Sequence, residues 1–315
     1  MKKTLALIVP CYNEQEVLPL FYDEVGKVLK KLSLGFRTEL VFVNDGSADE
    51  TLSILKDLAA MDPDVKYISF SRNFGKEAAM LAGMEYAVKN ADYIGIIDAD
   101  LQHSPELITE MLYYVDREGY DVAAARREDR EGEAKLKSAL SGAFYKVINR
   151  VSDTKISDSA QDFRIMKRKV VEAVLSMPEN IRFSKGIFSW VGFNVKWISH
   201  ENRERAAGET KWSIRKLFRY ALDGILGYTN APLRLSFLFS AVCGALTLIA
   251  LIYALVRAII GSYNPVIPLL LAAVFGVGAA LLLSLGILGE YLARVYTEAK
   301  DRPKFIVSET NTEKE

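Results

Sequence analysis

Residues 96–106 read IIDADLQHSPE, so an apolar run ends on two aspartates, Asp98 and Asp100. Neighbouring carboxylates repel each other at low dielectric, and a proton or a cation must neutralise them if both follow a buried strand. Residues i and i+2 of a strand share a face, and residues of a turn can also converge. Carboxylate oxygens suit Mg2+ or Mn2+, and Gln102 offers a neutral oxygen. The stretch predicts a divalent-cation site, with a helix-capping carboxylate beside a surface one as the alternative.

Short apolar runs alternate with amphipathic stretches in the first half of the chain. Five runs predict strands, namely LALIV (5–9), ELVFVN (39–44), VKYISF (65–70), YIGIID (93–98) and DVAAA (121–125). Apolar residues at positions 21, 25, 28, 29 and 32 predict a helix over residues 19–32. Strands and helices that alternate in this way predict an α/β domain with a largely parallel, doubly wound sheet.

Polar clusters follow three of the predicted strands. They are PCYNE (10–14), NDGSADE (44–50) and DADLQH (98–103). In doubly wound sheets the ligand binds outside the carboxyl ends of the strands, so clusters at several ends predict one shared site. Within the second cluster, Ser47 stands three residues before Glu50 and predicts a capping box that opens the next helix.

Two long uncharged segments, residues 235–256 and 265–289, dominate the C-terminal third. Each exceeds the roughly 20 apolar residues that cross a bilayer as a helix. A core helix of a soluble protein would show a polar face at this length, and neither segment has one. The linker of residues 257–264 is too short to be a domain, so the segments predict a two-helix transmembrane hairpin.

Flanking charge predicts the orientation of this hairpin. The linker carries only Arg257, whereas both flanks are rich in basic residues: Arg215, Lys216, Arg219, Arg234, Arg294, Lys300, Arg302 and Lys304. The positive-inside rule then places both termini in the cytoplasm. Basic residues alternate with aromatic and aliphatic ones over 212–225, which predicts an amphipathic helix on the membrane surface.

Several classes of protein are disfavoured. Forty basic residues balance forty acidic ones, so the formal net charge is zero. No overall electrostatic field therefore favours a nucleic-acid partner. The two histidines have no spaced Cys or His partner that would predict zinc, and no glycine-rich nucleotide loop or P-loop occurs. Cys11 and Cys243 fall in a predicted cytoplasmic loop and a predicted span, which argues against a disulfide.

An ordered set of motifs covers nearly the whole chain: LIVPCYNE, VNDGSADET, SRNFGKEAAMLAGMEYA, IDADLQHSPE, QDFRIMKR, RFSKGIFSWVGF, R-x-x-G-x-T-K-W and GILGEYLAR. In this order they resemble the polyprenyl-phosphate glycosyltransferases, bacterial relatives of dolichol-phosphate mannose synthase with an inverting GT-A domain. The strongest likeness is to the bactoprenol glucosyl- and N-acetylglucosaminyl-transferases.

The resemblance implies a membrane enzyme that moves glucose or N-acetylglucosamine from a nucleotide sugar, UDP-linked, to undecaprenyl or another polyprenyl phosphate for cell-envelope glycan modification. It implies a cytoplasmic GT-A domain (1–211), a juxtamembrane amphipathic helix (212–231), two transmembrane helices (232–257 and 265–289) and a cytoplasmic tail (290–315) in the bacterial inner membrane. Relatives suggest a homotetramer. The polar end SETNTEKE (308–315) predicts disorder.

The resemblance also implies roles for individual residues. The nucleotide sugar would be held by residues at the strand ends and beyond: Pro10, Tyr12, Glu14, Val43, Asp45, Lys76, Asp98, Ala99 and Arg126. A divalent cation, Mg2+ or Mn2+, would bridge its diphosphate to Asp98, Asp100 and Gln102. Arg205 and Lys211 would bind the phosphate of the lipid acceptor, with a solvated charge or a headgroup contact as the alternative for each.

Asp100 and Asp162 are the implied catalytic residues. Asp162 corresponds to an aspartate that deprotonates hydroxyl acceptors in many relatives. A phosphomonoester has a second pKa of about 6 and is already mostly a dianion near pH 7, so it scarcely needs a base. Asp162 could instead orient the acceptor loop, the sugar or a basic partner such as Arg164.

Two other functions stay open. A processive polysaccharide synthase would carry Q-x-x-R-W and more spans, whereas residues 161–165 read QDFRI. A non-catalytic membrane scaffold would have no reason to retain costly carboxylates at a buried strand end.

Overall fold

The computed structural model describes residues 2–127, 160–180, 182–200, 231–260 and 266–312. The strands in these ranges are β1 (Lys3–Cys11), β2 (Phe36–Asn44), β3 (Val65–Phe70), β4 (Tyr93–Ile96), β5 (Val122–Arg127), β6 (Ala160–Lys167), β7 (Val195–His200) and β8 (Val307–Thr310). The helices are α1 (Leu18–Leu32), α2 (Thr51–Met61), α3 (Lys76–Asn90), α4 (Leu107–Asp116), α5 (Arg168–Leu175), α6 (Ser184–Trp190), α7 (Ala231–Ile260) and α8 (Val266–Ala299).

The strands form one mixed sheet in the order β7-β5-β6-β4-β1-β2-β3-β8. The central strands β4, β1, β2 and β3 are parallel, as β5 and β7 are to each other. Strand β6 runs antiparallel to both β4 and β5, and β8 runs antiparallel to β3. The predicted α/β class with a mostly parallel sheet is confirmed. The reversed strand β6 brings its first residues to the edge where β4 ends.

Apolar side chains cover both faces of the sheet. Helices α1, α2 and α4 pack on one face, and α3, α5 and α6 pack on the other. Helix α3 lies very close to β1, since a Cβ on Gly83 would come within 2.3 Å of the Ile8 side chain. This close contact fixes the middle of α3 against β1, and the helix begins at Lys76.

Strand β4 is shorter than predicted. The sequence predicts a strand through Asp98, but β4 ends at Ile96, and only one further backbone bond, from Ile97 N to Ile8 O, continues it. Leu101 then adopts a φ of +56°, a left-handed conformation that is uncommon for a residue other than glycine. Asp98 and Asp100 therefore lie in a tight turn after the strand.

Ser47 does not begin a helix, so the predicted capping box is wrong. Helix α2 begins at Thr51, and no side-chain cap is bonded at its N-terminus. The Ser47 hydroxyl instead accepts a hydrogen bond from the backbone N–H of Asn13 at 2.9 Å. Ser47 therefore joins two loops instead of capping a helix. The spacing of residues in the sequence cannot reveal a contact of this kind.

Helices α7 and α8 pack against each other and leave most of their apolar surface exposed. Two stretches, Ser236–Arg257 and Leu269–Ala299, are long and apolar enough to cross a membrane. Two exposed apolar helices of this length indicate that the protein associates with a membrane. Helix α8 continues ten residues past the predicted end of its span at residue 289. Most of the predicted amphipathic helix, residues 212–230, lies outside the described residues.

The prediction of a disordered tail is wrong for residues 308–310, which belong to strand β8. Strand β8 pairs with the outer edge of β3, with Ile68 opposite Thr310 and Ser69 opposite Glu309. The Asn311 amide extends the contact, accepting from Tyr67 N at 2.7 Å and donating to Val65 O at 3.1 Å. An edge strand offers unpaired backbone groups, so even a polar segment can join it through main-chain hydrogen bonds. Of the predicted cytoplasmic tail, residues 290–312 are thus partly helix and partly sheet.

Candidate active site

The loops at the carboxyl ends of β1 and β2 are bonded to each other. The Asn13 side chain accepts a hydrogen bond from Ala48 N at 2.9 Å, and Glu14 N donates to the Thr51 hydroxyl at 2.8 Å. The turn after β4 and the first residues of β6 lie at the same edge of the sheet, because Ile96 pairs with Arg164. The predicted convergence of polar strand ends is therefore present in the structure.

Lys76 joins two carboxylates at this edge. Its Nζ lies 2.6 Å from Oδ1 of Asp98 and 2.6 Å from Oδ2 of Asp162. The three residues come from the first turn of α3, the turn after β4 and strand β6, so they are distant in sequence. All three side chains are partly covered. The structure thus places one ammonium group between two of the predicted site residues.

This bridge determines the charge of Asp162. Burial alone would raise the pKa of the Asp162 carboxyl, but the charges of Lys76 and Lys185 outweigh burial and hold that pKa well below its usual range. Burial would likewise lower the pKa of Lys76, and its two carboxylate partners raise that pKa above the usual value instead. Both groups are charged at neutral pH, and Asp162 is a weak proton acceptor there.

The residues predicted to hold a cation lie together in the turn after β4. Asp98 and Asp100 flank a single residue in the turn after β4, and Asp100 Oδ1 accepts a hydrogen bond from Gln102 N at 3.1 Å. Within the described ranges, no group of three or more His, Cys, Asp or Glu side chains could hold a metal ion. Two carboxylates and an amide therefore fit Mg2+ or Mn2+ only where a bound ligand supplies further oxygens.

Asp45 is buried and holds the loop that precedes α3. Its Oδ1 accepts from Phe74 N at 2.6 Å, and its Oδ2 accepts from Gly75 N at 2.9 Å. Burial raises the pKa of the Asp45 carboxyl, and these two hydrogen bonds oppose that rise. Asp45 therefore positions the backbone of residues 74 and 75, which leads directly into α3.

The other predicted donor residues have different exposures. Tyr12 is exposed, whereas Pro10 and Glu14 are half-buried. Val43 and Ala99 are buried in the core, so their side chains pack beneath the strand ends. Arg126 is exposed, and its Nε donates to the Ser199 hydroxyl at 3.0 Å. Arg205 and Lys211 lie outside the described residues.

The sequence suggests Arg164 as a basic partner of Asp162, but sequence reasoning missed Lys185, whose charge also acts on Asp162. The Arg164 guanidinium lies 3.8 Å from the centre of the Phe188 ring and donates to Asp162 O at 3.2 Å. Arg164 and Lys185 also line a cavity of about 320 Å³ with Phe188, Ser189, Phe193, Asn194, Val195 and Trp197.

Glu77, next to Lys76, accepts hydrogen bonds from the backbone and hydroxyl of Ser184 at the start of α6. The motif RFSKGIFSWVGF contains these α6 residues, but the motif alone assigns them no role.

The two histidines form a buried pair behind the acidic turn. Their ring centres are 5.2 Å apart, and the His103 ring also lies 5.1 Å from that of Phe163. Burial lowers the pKa of His103 despite the nearby charges of Asp98 and Asp100. His103 therefore packs beneath the turn as an uncharged ring at neutral pH, with the His200 ring against it.

Known proteins resemble this chain over most of its length. A model described as Glycosyl transferase family 2 matches residues 6–175. CsbB of Bacillus subtilis (strain 168), which is named as a glycosyltransferase, is 41% identical over 98% of this chain and 92% of its own. The prophage bactoprenol glucosyl transferase homolog of Escherichia coli (strain K12) is 39% identical over 96% of this chain and 98% of its own. The bactoprenol glucosyl transferase of Shigella phage SfV is 38% identical over 96% and 97%.

The family match, together with a mostly parallel sheet that has an Asp-x-Asp turn at its carboxyl edge, defines the class of protein as a glycosyltransferase. The chain belongs to glycosyl transferase family 2, and it is a glycosyltransferase.

Proposed function

We propose that this glycosyltransferase moves one sugar, glucose or N-acetylglucosamine, from a UDP-linked donor to undecaprenyl or another polyprenyl phosphate for cell-envelope glycan modification. The observation that carries the proposal is the bridge from Lys76 to Asp98 and Asp162, beside Asp45, in a domain that continues into two apolar helices. The names of the Escherichia coli and phage relatives support a bactoprenol acceptor and a glucosyl group.

The donor would lie across the carboxyl ends of β1, β2 and β4. Pro10, Tyr12 and Glu14 would contact the base and ribose from one side, and Asp45 from the other. Asp45 already accepts two backbone N–H groups, and a carboxylate has room for a further donor such as a ring N–H or a ribose hydroxyl. Arg126 would meet a phosphate.

Asp98, Asp100 and Gln102 would hold Mg2+ or Mn2+ at the diphosphate. When bound, the cation would supply positive charge that stabilises the leaving diphosphate. In the described structure Lys76 contacts one oxygen of Asp98, so its ammonium group supplies part of the same compensation from the protein itself. Lys76 would therefore lie beside the developing negative charge.

Transfer would be a single displacement. A phosphate oxygen of the acceptor attacks the anomeric carbon while the bond from that carbon to the donor diphosphate breaks, so the anomeric centre inverts. The acceptor is already a dianion near pH 7, and Asp162 is held ionised by Lys76, so no proton needs to move to Asp162. We assign Asp162 the role of fixing Lys76, with Arg205 and Lys211 as contacts of the acceptor phosphate.

The apolar helices would form a hairpin in the bacterial inner membrane with both termini in the cytoplasm. The N-terminal domain and β8, which lie on either side of α7 and α8 in the chain, pair in one sheet. Segments that share a sheet lie on one side of a membrane, and this supports two crossings between them. We propose a homotetramer as well, on the resemblance alone.

The test uses the purified full chain in lipid nanodiscs with Mn2+, undecaprenyl phosphate and a panel of nucleotide sugars. We expect nucleoside diphosphate to be released only when both the acceptor and one preferred donor are present, and EDTA to abolish this release. The lipid product should carry one sugar, β-linked from an α-linked donor. Release without acceptor, full activity in EDTA, or a polymeric product would each contradict part of the proposal.

A further inference from the structure

The segment between α8 and β8 contacts the end of strand β3. The Phe305 ring stacks on the Phe70 ring, with centres 4.9 Å apart and planes at 15°. Ile306 O accepts a hydrogen bond from Ser71 N at 2.9 Å, and the Ser308 hydroxyl donates to Ser69 O at 3.0 Å. The segment that follows the apolar hairpin therefore contacts the last residues of β3 along the outer edge of that strand.

The loop after β3 connects this contact to the active site. Phe70 meets the Phe74 ring edge-on, with centres 5.8 Å apart. The backbone N–H groups of Phe74 and Gly75 donate hydrogen bonds to Asp45, and α3 begins at the next residue, Lys76. Residues 70–76 thus link the C-terminal segment to the buried Asp45 and to the ammonium group between Asp98 and Asp162.

This loop has little freedom on its other side. A Cβ on Gly46 would lie 2.2 Å from the Arg72 carbonyl carbon, so the backbones of the two loops touch there. The Arg72 guanidinium lies 3.9 Å from the centre of the Phe74 ring. The loop is held between residues 45–46 on one side and Phe305 on the other, so removal of the Phe305 ring would free one side of it.

We infer that Phe305 is a positioning residue for donor binding, acting through Phe70 and Phe74 on Asp45. The inference rests on the proposed function, because it takes residues 74–76 and Asp45 as part of the donor site. It also assigns a role in the catalytic domain to the chain that follows the membrane hairpin. The contact that Phe305 makes in this arrangement is with the Phe70 ring.

The test compares Phe305→Ala with Phe305→Tyr, which keeps the stacked ring, and with Val307→Ala in the same segment, where the side chain is 39% exposed. Each variant is measured in nanodiscs for KM and kcat with the preferred donor, for UDP binding by calorimetry and for thermal unfolding. Loss of an aromatic contact that supports the loop should raise the donor KM and the UDP Kd about threefold to tenfold. The kcat of Phe305→Ala should stay within about twofold of wild type. For Phe305→Tyr and Val307→Ala, the donor KM, the UDP Kd and the kcat should all stay within about twofold of wild type.

Two outcomes would overturn the inference. In one, Phe305→Ala lowers the melting temperature and the active fraction while the donor KM and the UDP Kd remain those of wild type, which is a structural role only. In the other, Val307→Ala raises KM as much as Phe305→Ala does. If Phe305→Ala does not fold, Phe305→Leu takes its place under the same criteria. Failure of the proposed function is distinguishable, because the wild-type protein itself would then release no nucleoside diphosphate with any donor and polyprenyl phosphate.

Discussion

Lys76 supplies a positive charge to the acidic turn that follows β4. The Asp98 carboxylate has an ammonium partner at 2.6 Å, and the same ammonium binds Asp162. A divalent cation is therefore not the only charge that can compensate Asp98. Because Lys76 and a metal ion would share this carboxylate, the strength of one contact should affect the other.

Replacing Lys76 with Met removes the charge and keeps much of the side-chain volume. Asp98 and Asp162 would then face each other without their shared partner, and removing one member of a partly covered ion pair leaves the remaining charges uncompensated. We expect kcat/KM to fall at least about a hundredfold and the melting temperature to fall as well. Lys89→Met, at an exposed position in the last turn of the same helix, is the matched control. Activity of Lys76→Met within tenfold of wild type would contradict the role of Lys76.

Glu77 should make stability depend on pH. Burial raises the pKa of Glu77 to about 7, although its hydrogen bonds from Ser184 oppose the rise. The folded protein then holds this proton more tightly than the unfolded chain does. The associated stability is fully present below about pH 4.5 and is lost as the pH rises through 7, by up to about 3 kcal/mol.

Glu77→Gln should therefore flatten the change in melting temperature between pH 4.5 and 8. The amide oxygen can still accept from Ser184, so the local contact is retained. Glu110→Gln, at an exposed position in α4, should leave the profile of the wild type unchanged. An unchanged slope in the Glu77 variant would show that this carboxyl does not govern the pH dependence.

Among the secondary-structure elements, the turn from β2 into α2 and the loop from β3 into α3 depend on each other. Gly46 has a φ of +62° and meets the backbone of Arg72, while Asp45 binds the N–H groups of Phe74 and Gly75. The register of α3, and hence the position of Lys76, is set by this contact between two loops. Neither loop has an apolar pattern that would indicate such a contact.

Gly46→Ala should disturb both loops. The new methyl group would lie 2.2 Å from the Arg72 carbonyl carbon, and the left-handed φ adds strain of about 1 kcal/mol or more. Gly119→Ala is the matched control, because Gly119 has a φ of +82° and open space around it. We expect Gly46→Ala to lose more melting temperature than Gly119→Ala and to weaken UDP binding, which Gly119→Ala should not change. Equal losses would mean that strain alone acts at both positions.

For the molecule as a whole, the sheet constrains the topology of the apolar hairpin. Strand β8 completes the sheet of the domain that precedes α7. If both apolar helices cross the membrane, the two ends of the chain must therefore lie on the same side of it. We propose that this side is the cytoplasm, because basic residues flank the hairpin.

Reporter fusions should show this arrangement in cells. A reporter at either terminus should be active in the cytoplasm, and one inserted at residues 261–264 should be active outside. A reporter in the exposed loop at Gly35 serves as an internal control for the cytoplasmic domain. A C-terminal reporter detected outside would contradict the hairpin and the pairing of β8 in the membrane-bound protein.

The sequence alone was sufficient for the alternating elements, the mostly parallel sheet, the two long apolar helices and the family. These features follow from periodicity, from long uncharged runs and from motifs of adjacent residues, all of which are local properties of the chain. The Asp98–Asp100 turn could be found for the same reason, since its residues are neighbours.

Only the tertiary structure decided which groups meet. Lys76, Asp98 and Asp162 are separated by up to 86 residues, and they converge because α3 packs closely on β1 while β6 runs against β4. Strand β8 likewise has a polar sequence that predicts disorder, and it is ordered because the edge of β3 offers backbone partners. Contacts of this kind depend on main-chain pairing and on charges that are distant in the sequence. The pattern of neighbouring residues contains no signal for either.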